Sequence, residues 1–285
     1  MALSSESLKK RTFPQKDLRY QSPYLCVPDD RVLSHLYNTF SITIVPIERF
    51  IIHTIKQTFS LIDDASLLGQ AKIFCWQEAN HSAIHNDYNR ALLDAHYPKL
   101  HLVGETWLDN FSQWIAPSVP LQQRLLFVVF LEIFSTYIST DFFQRWNNKL
   151  SQLDPSIGQL FSFHAAEEVE HRSLSFDLFE HIYNEKPNAE QYLAQWHCLQ
   201  KKMIDNVLHC TTYLCSCDAL GDSYPVQPIS AIRSYLSEER GLFNDSQFCQ
   251  EFSEKDFHPS RYVMSDWVTI WEKEWVPLWS RELGQ

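Results

Sequence analysis

One short motif occurs twice in the chain and limits the folds that it can adopt. Glu78-x-x-His81 stands in the segment FCWQEANHSAIHNDYN, and Glu168-x-x-His171 stands in FSFHAAEEVEHRSLSFD. Residues three apart lie on one face of an α-helix, so each motif presents a carboxylate and an imidazole on the same side. The repeat predicts two helices that turn these groups toward a shared centre.

The composition agrees with an all-α fold. Only 6 of the 285 residues are glycine, whereas sandwiches, barrels and phosphate-binding loops use glycine at many turns. Hydrophobic residues make up 45% of the chain, which is enough for a sizeable core. The helix signals predict an arm lying over the surface, a helical bundle and a helical extension packed on the bundle. We assign these three parts to residues 1–28, 29–220 and 221–285 in that order.

Capping residues and prolines divide the chain into helices. Asp29 and Asp30 begin the first helix, which we expect Pro46 to bend or break. Asp154 and Pro155 are typical of a helix N-terminus. Further helices are predicted over 64–95, 120–149, 155–184 and 189–217, with short ones over 228–239 and 262–275 and a Trp-rich connection over 98–118.

The charge and the cysteines exclude several kinds of protein. A formal net charge of −11 argues against binding to nucleic acid or to an anionic membrane surface. The apolar run 125–134 is too short to span a bilayer, and the N-terminus lacks the apolar stretch of a secretory signal. Seven cysteines without a CxxC pair are typical of reduced thiols and make a zinc–thiolate site improbable. We therefore predict a cytoplasmic protein without a membrane span.

Two more glutamates complete a metal-binding pattern. Two Glu-x-x-His motifs plus one glutamate from each of two other helices form the ligand set of ferritin-like dinuclear carboxylate proteins. Glu132 stands among apolar residues in LLFVVFLEIFSTYI, and Glu48 does so in IVPIERFII. A buried carboxylate without a partner is costly, and a bound cation keeps it charged. The alternatives are surface helices for the motifs and a buried ion pair for each glutamate, with Arg49 beside Glu48.

Four nearby residues extend this set. His164 precedes Glu168 by four residues, so we predict that it is a seventh ligand. His85 is either a ligand or a hydrogen-bonded partner of one. Glu167 replaces Glu168 if the helix phase is shifted, and Asp177 is a candidate for orienting a histidine.

The chain resembles a bacterial family described as predicted metal-dependent hydrolases, which belongs to the ferritin-like superfamily. The matching segments are PIERFI, WQEANHSAIHNDYN, HAAEEVEHRSLSFD and FHP, and the likeness covers roughly residues 35–260. This resemblance implies a ferritin-like four-helix bundle with additional helices. The spacing of His164, Glu168 and His171 also resembles that of di-iron N-oxygenases of the p-aminobenzoate type, in which the extra histidine binds one iron.

These resemblances and the ligand pattern lead to two functional hypotheses. The first is a non-haem di-iron oxygenase or oxidase that uses O₂ to oxidise a small organic substrate, at nitrogen or carbon. Its cofactor would be two iron ions, with manganese or a mixed manganese–iron pair as alternatives, and an electron donor and a homodimer are further options. The second is a dinuclear metal-dependent hydrolase that uses a metal-bound hydroxide, in which His258 of the FHP segment could serve as an acid. We predict no catalytic residues beyond the metal ligands.

Overall fold

The computed structural model describes residues 8–13, 25–95, 97, 118–187, 189–218, 254, 256–261 and 265–283. Every regular element in these ranges is a helix, which confirms the all-α prediction. The expected helix over 228–239 and almost all of the connection over 98–118 lie outside the described residues. The helices are α1 (Arg31–Thr58), α2 (Ala65–Ala95), α3 (Leu121–Trp146), α4 (Pro155–Glu170), α5 (Leu174–Tyr183), α6 (Ala189–Asp218), α7 (Ser265–Ile270) and α8 (Val276–Leu283).

The predicted capping residues begin two of the helices. The side chain of Asp30 accepts a hydrogen bond from the backbone N–H of Leu33 at the start of α1. Asp154 accepts one from Ile157 at the start of α4, where Pro155 occupies the first turn. Each cap satisfies one of the backbone donors that a helix N-terminus leaves without a partner.

The structure decides between the alternatives for one helix prediction and corrects another. Pro46 does not break α1, because residues on both sides of it, such as Ile42 and Phe50, are buried and packing holds the helix together, and the expected bend stays a prediction. The single helix predicted over 155–184 is two helices, since α4 ends at Glu170 and α5 begins at Leu174. His171 is the C-cap of α4, with φ −96° and ψ 13°, and its side chain is held between buried carboxylates described below. Helical periodicity across this point could not reveal the interruption.

Helices α1 to α4 form a four-helix bundle. Contacts from Glu48 to His81 and from Ser41 to His85 show that α1 and α2 are antiparallel. Contacts between Tyr37 and Trp146 and between Phe50 and Phe127 make α1 and α3 antiparallel as well. The consecutive helices α2 and α3 therefore run in the same direction.

Helix α3 is long and apolar enough to cross a membrane by length and composition. In this structure 78% of its most apolar window is buried by the rest of the chain. A buried central helix of a bundle has the same composition, so α3 is accounted for as part of the core.

The two chain ends pack onto the bundle. Phe13 of the N-terminal segment is buried, with its ring 5.3 Å from that of Phe163. A π-helical segment, Trp271–Trp275, joins α7 to α8. Trp279 of α8 lies over Gly158, where an added Cβ would be 2.9 Å from the indole ring. The C-terminal helices thus cover one face of α4, and the predicted helix over 262–275 is longer and continues to Leu283.

Candidate metal centre

The predicted ligands meet in the middle of the bundle. Helix α1 contributes Glu48, α2 contributes Glu78 and His81, and α3 contributes Glu132. Helix α4 and its C-cap contribute the remaining three, and all seven side chains are buried. The last three are His164, Glu168 and His171.

Six of these seven residues form two overlapping groups that could hold a metal ion. One group is Glu48, His81, His164 and Glu168, and the other is Glu78, His81, Glu168 and His171. Within each group the possible ligand atoms all lie within 4.8 Å of one another. We call these six residues together the cluster. Because the groups share Glu168 and His81, the cluster has the layout of two adjacent metal positions.

His81 turns one ring nitrogen away from the cluster and the other into it. Its Nε2 is 2.8 Å from Oε2 of Glu167, a carboxylate that accepts the hydrogen bond, so the ring proton is on Nε2. Nδ1 is 3.7 Å from Oε1 of Glu48 and 3.6 Å from Oε1 of Glu168. The lone pair of Nδ1 is therefore free to bind a cation.

His171 has the opposite tautomer. Its Nδ1 is 2.7 Å from Oε2 of Glu132. Its Nε2 faces Oε1 of Glu78 at 3.2 Å and Oε1 of Glu168 at 3.7 Å. Glu132 thus contacts the outer nitrogen of His171, and it belongs to neither of the two groups.

A chain of hydrogen bonds holds the ring of His164 in place. Asn89 donates from Nδ2 to the backbone oxygen of Ser41 at 3.0 Å, so its Oδ1 must accept from the Ser41 hydroxyl at 2.7 Å. Ser41 Oγ has then used its proton and accepts from Nδ1 of His85 at 2.9 Å. His85 Nε2 must in turn accept from His164 Nδ1, 2.9 Å away. The other ring nitrogen of His164, Nε2, lies 3.0 Å from Oε1 of Glu168 on the cluster side of the ring.

Several atoms of the cluster lack a hydrogen-bond partner among the described residues, although they are fully buried. They are both carboxylate oxygens of Glu48, Oε1 of Glu78, Nδ1 of His81 and Nε2 of His171. Buried polar atoms almost always have partners, because an unsatisfied one is costly. Carboxylate oxygens and neutral imidazole nitrogens that point at one another are suitable ligands for a divalent cation. The residues present therefore fit a metal centre.

The electrostatics of the metal-free cluster point to the same need for positive charge. Burial raises the pKa of Glu48 and of Glu78 well above their ordinary value, and the neighbouring Glu168 raises both further. Burial would also raise the pKa of Glu168, but the histidines around it lower the pKa to about 2. The site thus concentrates carboxylates that cannot all be ionised without a cation.

The histidines show the same competition between burial and charge. Burial lowers the pKa of His81 well below its ordinary value, and His164 lowers it further. Burial also lowers the pKa of His171, but Glu168 and Glu132 raise it to about 9. Burial raises the pKa of both Glu132 and Glu167 to about 7.

The N-terminal segment closes one side of the centre. Arg11 makes two hydrogen bonds to Glu170, at 2.8 Å and 2.9 Å, and lies 3.8 Å from Glu167. Gln77 also donates to Glu170, at 2.9 Å. The positive charge of Arg11 therefore faces the carboxylate that holds His81. No sequence pattern indicates this contact, because Arg11 lies in a segment without helical periodicity.

Two residues considered from the sequence lie elsewhere. Asp177 accepts a hydrogen bond from His258 at 2.9 Å, and Glu180 completes a partly exposed third group with them. Ser260 contacts the other ring nitrogen of His258 at 2.6 Å. His258 therefore does not reach the cluster as an acid, and Asp177 orients His258 rather than a histidine of the centre.

A cavity of about 110 Å³ extends from the cluster between α1, α3, α4 and α6. Glu48, Glu78, His164 and Glu168 form part of its wall. Most of the other lining residues are apolar. No sequence pattern separated these side chains from ordinary core residues.

The fold and the site define an all-helical protein with a buried glutamate–histidine centre that could hold two metal ions. The family model described as "Predicted metal-dependent hydrolase" matches residues 11–262, so the chain belongs to that family. No curated protein and no solved structure matches the chain. The expected resemblance to di-iron N-oxygenases has no support from these comparisons.

Proposed function

We propose that this protein is a dinuclear metal-dependent hydrolase whose centre is the cluster. The observation that carries the proposal is the set of buried, inward-facing donor atoms without partners in Glu48, Glu78, His81 and His171. Membership of a metal-dependent hydrolase family supports the same reading. The parallel arrangement of α2 and α3 agrees with a ferritin-like bundle, in which one long connection joins parallel helices.

The two groups suggest how the ligands are divided. Glu48 and His164 would bind one ion, and Glu78 and His171 would bind the other. Glu168 belongs to both groups and has two carboxylate oxygens, so it would help to hold both ions as a bridge. A single imidazole nitrogen binds one ion, so His81 serves one of the two positions.

Three residues outside the cluster would position its histidines. Glu167 holds His81, Glu132 holds His171, and His85 holds His164. A carboxylate or another acceptor on the outer nitrogen fixes the ring and makes it a better ligand. Glu132 remains a candidate direct ligand from the sequence, but that role requires its contact with His171 to break.

A bound divalent metal would polarise a carbonyl or phosphoryl group and make a water molecule more acidic at neutral pH. Glu48 lines the cavity and is the cluster residue with both carboxylate oxygens unpartnered among the described residues. Its Oε1 lies near His81 and His164, so we assign that oxygen to the metal and Oε2 to proton transfer with water or the leaving group. The side chains of the cluster are buried, which would limit the access of other water molecules.

An oxygenase is the second candidate, and the apolar lining of the cavity favours it. Oxidation of an apolar substrate needs a water-poor pocket beside the metal ligands, and the cavity provides one. The residues that hold the metal would be the same. This reaction would require iron, or manganese with iron, together with O₂ and a source of electrons.

Reconstitution with different metals separates the two candidates. Metal-free protein is loaded with zinc, manganese or iron(II) and supplied with ester, amide and phosphoester substrates, with and without O₂. Hydrolysis that does not need O₂ and is lost in Glu48→Gln supports the hydrolase, and Asp177→Asn is the matched control away from the cluster. Product formation that requires both iron and O₂ would overturn the hydrolase in favour of the oxygenase.

A further inference from the structure

The cavity is long and narrow. Its lining residues on α1 run from Leu33 to Ile51, which corresponds to about 27 Å of helix at 1.5 Å per residue. On α3 they run from Leu131 to Arg145, or about 21 Å. A volume of about 110 Å³ spread over such a length leaves room for a slender molecule only.

The polar groups of the cavity are concentrated at its two ends. The cluster residues Glu48 and Glu168 lie at one end, beside Ile51 and Leu131. The far end, near Leu33, has the ion pair between Asp141 and Arg145 at 3.3 Å. The wall between them is mostly aliphatic and aromatic, with side chains such as Leu36, Phe40, Ile44, Ile138, Phe142 and Val207.

The few hydroxyl groups along this wall do not make it polar. Thr43 donates its hydroxyl proton to the backbone oxygen of Phe40 at 2.9 Å. Ser135 and Ser139 are small residues on the cavity side of α3, where larger apolar residues would fill the space. A void in a bundle core is costly, so small residues at these positions are better explained by an occupant than by packing.

From this geometry we infer that the substrate carries an unbranched apolar chain, which lies between α1 and α3 with its reacting polar group at the cluster. The inference rests on the proposed function, because it places the reactive bond at Glu48 and Glu168. A slender alkyl or acyl chain matches the length, narrowness and lining of the cavity. A bulky or strongly polar substrate matches none of these properties.

Binding can be tested without any reaction. A fluorescent fatty acid is titrated into the protein as isolated, and unlabelled saturated fatty acids of short, medium and long chain then compete for the site. We expect saturable binding at one site per protein, with competition that strengthens by about tenfold or more from short to long chains because each added buried CH₂ contributes. Equal competition by all lengths, or no saturable binding, would overturn the inference.

Substitutions that narrow the cavity test where the apolar chain of the substrate lies. Ser139→Phe places a bulky ring midway along the wall and should weaken long-chain competitors while sparing short ones. Ser139→Leu is a milder change that should give the same trend if the Phe variant does not fold, and Gln144→Phe on the exposed side of α3 is the matched control. Unchanged chain-length dependence in a folded Ser139 variant would overturn the proposed location.

Failure of the inference about the substrate's apolar chain can be distinguished from failure of the proposed function. Chain-length selectivity in a protein that binds no divalent metal would reject the proposed function and keep the cavity as a binding site. Stoichiometric metal binding and hydrolysis without any chain-length preference would keep the function and reject the inference.

Discussion

Two buried histidine sites lie along the interface between α1 and α2, and they differ in how their nitrogen atoms are satisfied. At the first site, His35 Nε2 is 2.9 Å from Asp218 and Nδ1 is 3.2 Å from the amide of Asn38. Tyr97 and Tyr88 donate to Asp218 and Asn38 in turn. At the second site, the cluster, His81 and His171 each have one partnered nitrogen and one without a hydrogen-bond partner among the described atoms.

The comparison separates a structural histidine from a candidate metal ligand. Both sites combine buried histidine with carboxylate, so residue type alone does not distinguish them. At His35 the protein itself supplies every partner, and a cation has no lone pair to bind. At the cluster, one ring nitrogen of His81 and one of His171 contact a glutamate. The other nitrogen of each ring faces possible metal-ligand atoms and has no hydrogen-bond partner among the described residues.

The largest loss of metal affinity is expected on substitution of Glu168, which belongs to both groups of possible ligands. Glu168→Gln should weaken the binding of both ions by more than about 100-fold. Removing a residue that only contacts a metal ligand costs at most about 100-fold, and Glu168 is a proposed direct ligand. Metal titration followed by calorimetry measures the change. Circular dichroism confirms that the variant is folded, and two tightly bound ions in the folded variant would exclude Glu168 as the bridge.

A smaller loss of metal affinity is expected on substitution of Glu132, because its carboxylate contacts Nδ1 of His171 and belongs to neither group of possible ligands. Glu132→Gln keeps a hydrogen-bond acceptor at this place and should lower metal affinity by less than Glu132→Ala, for which we expect about 10–100-fold. Both variants should still bind two ions at high metal concentration. Permanent loss of one ion in both variants would instead show that Glu132 is a direct ligand.

The stability of the metal-free protein should fall as the pH rises from 6.5 to about 9. The pKa of His171 is raised from 6.5 to about 9, so its stabilising charge is present below pH 6.5 and is lost as the pH passes through 9. The raised pKa values of Glu48 and Glu78 act in the same direction. The lowered pKa of His81 has its effect below pH 6.5, outside this window.

Urea denaturation at the two pH values measures this loss, which should be on the order of a few kcal/mol. The metal-loaded protein should lose much less, since bound cations keep the carboxylates ionised and His171 neutral. An equal loss with and without metal would show that the cluster does not control the pH dependence.

The smallest change in metal affinity is expected on substitution of His35. His35→Leu removes one hydrogen-bond partner from Asp218 and one from Asn38, and should reduce the free energy of unfolding by about 1–3 kcal/mol. Metal affinity should remain within about twofold of the unchanged protein, because sites without shared partners act independently. A large loss of metal affinity in this variant would mean that the two sites are coupled.

The sequence predicted the helices and the residues of the cluster better than their roles. The repeated Glu-x-x-His motif and the apolar surroundings of Glu48 and Glu132 are local patterns, so they are visible in the chain. Which nitrogen of a histidine faces inward depends on contacts between helices, such as that of Glu167 with His81. Spacing placed Glu132 among the ligands, and in the structure its carboxylate contacts Nδ1 of His171, so its role as a direct ligand stays a prediction.

Other features depend on parts of the chain that are distant in sequence. Arg11 reaches Glu170 across 159 positions, and no pattern in the N-terminal segment indicates that contact. The break between α4 and α5 depends on the surroundings of His171, and the cavity depends on packing between four helices. Periodicity reports which face of a helix is apolar, but it does not report where two such faces leave space.

The number of metal ions that the protein binds decides whether the cluster is a dinuclear metal centre. Metal-free protein is titrated with a divalent cation and the bound metal is counted by native mass spectrometry, in parallel with His81→Ala, His171→Ala and the control His35→Leu. We predict two ions for the unchanged chain and for the control, and fewer than two for the other variants. No specific binding by the unchanged chain, or two ions in every variant, would contradict the assignment of the cluster as a dinuclear metal centre.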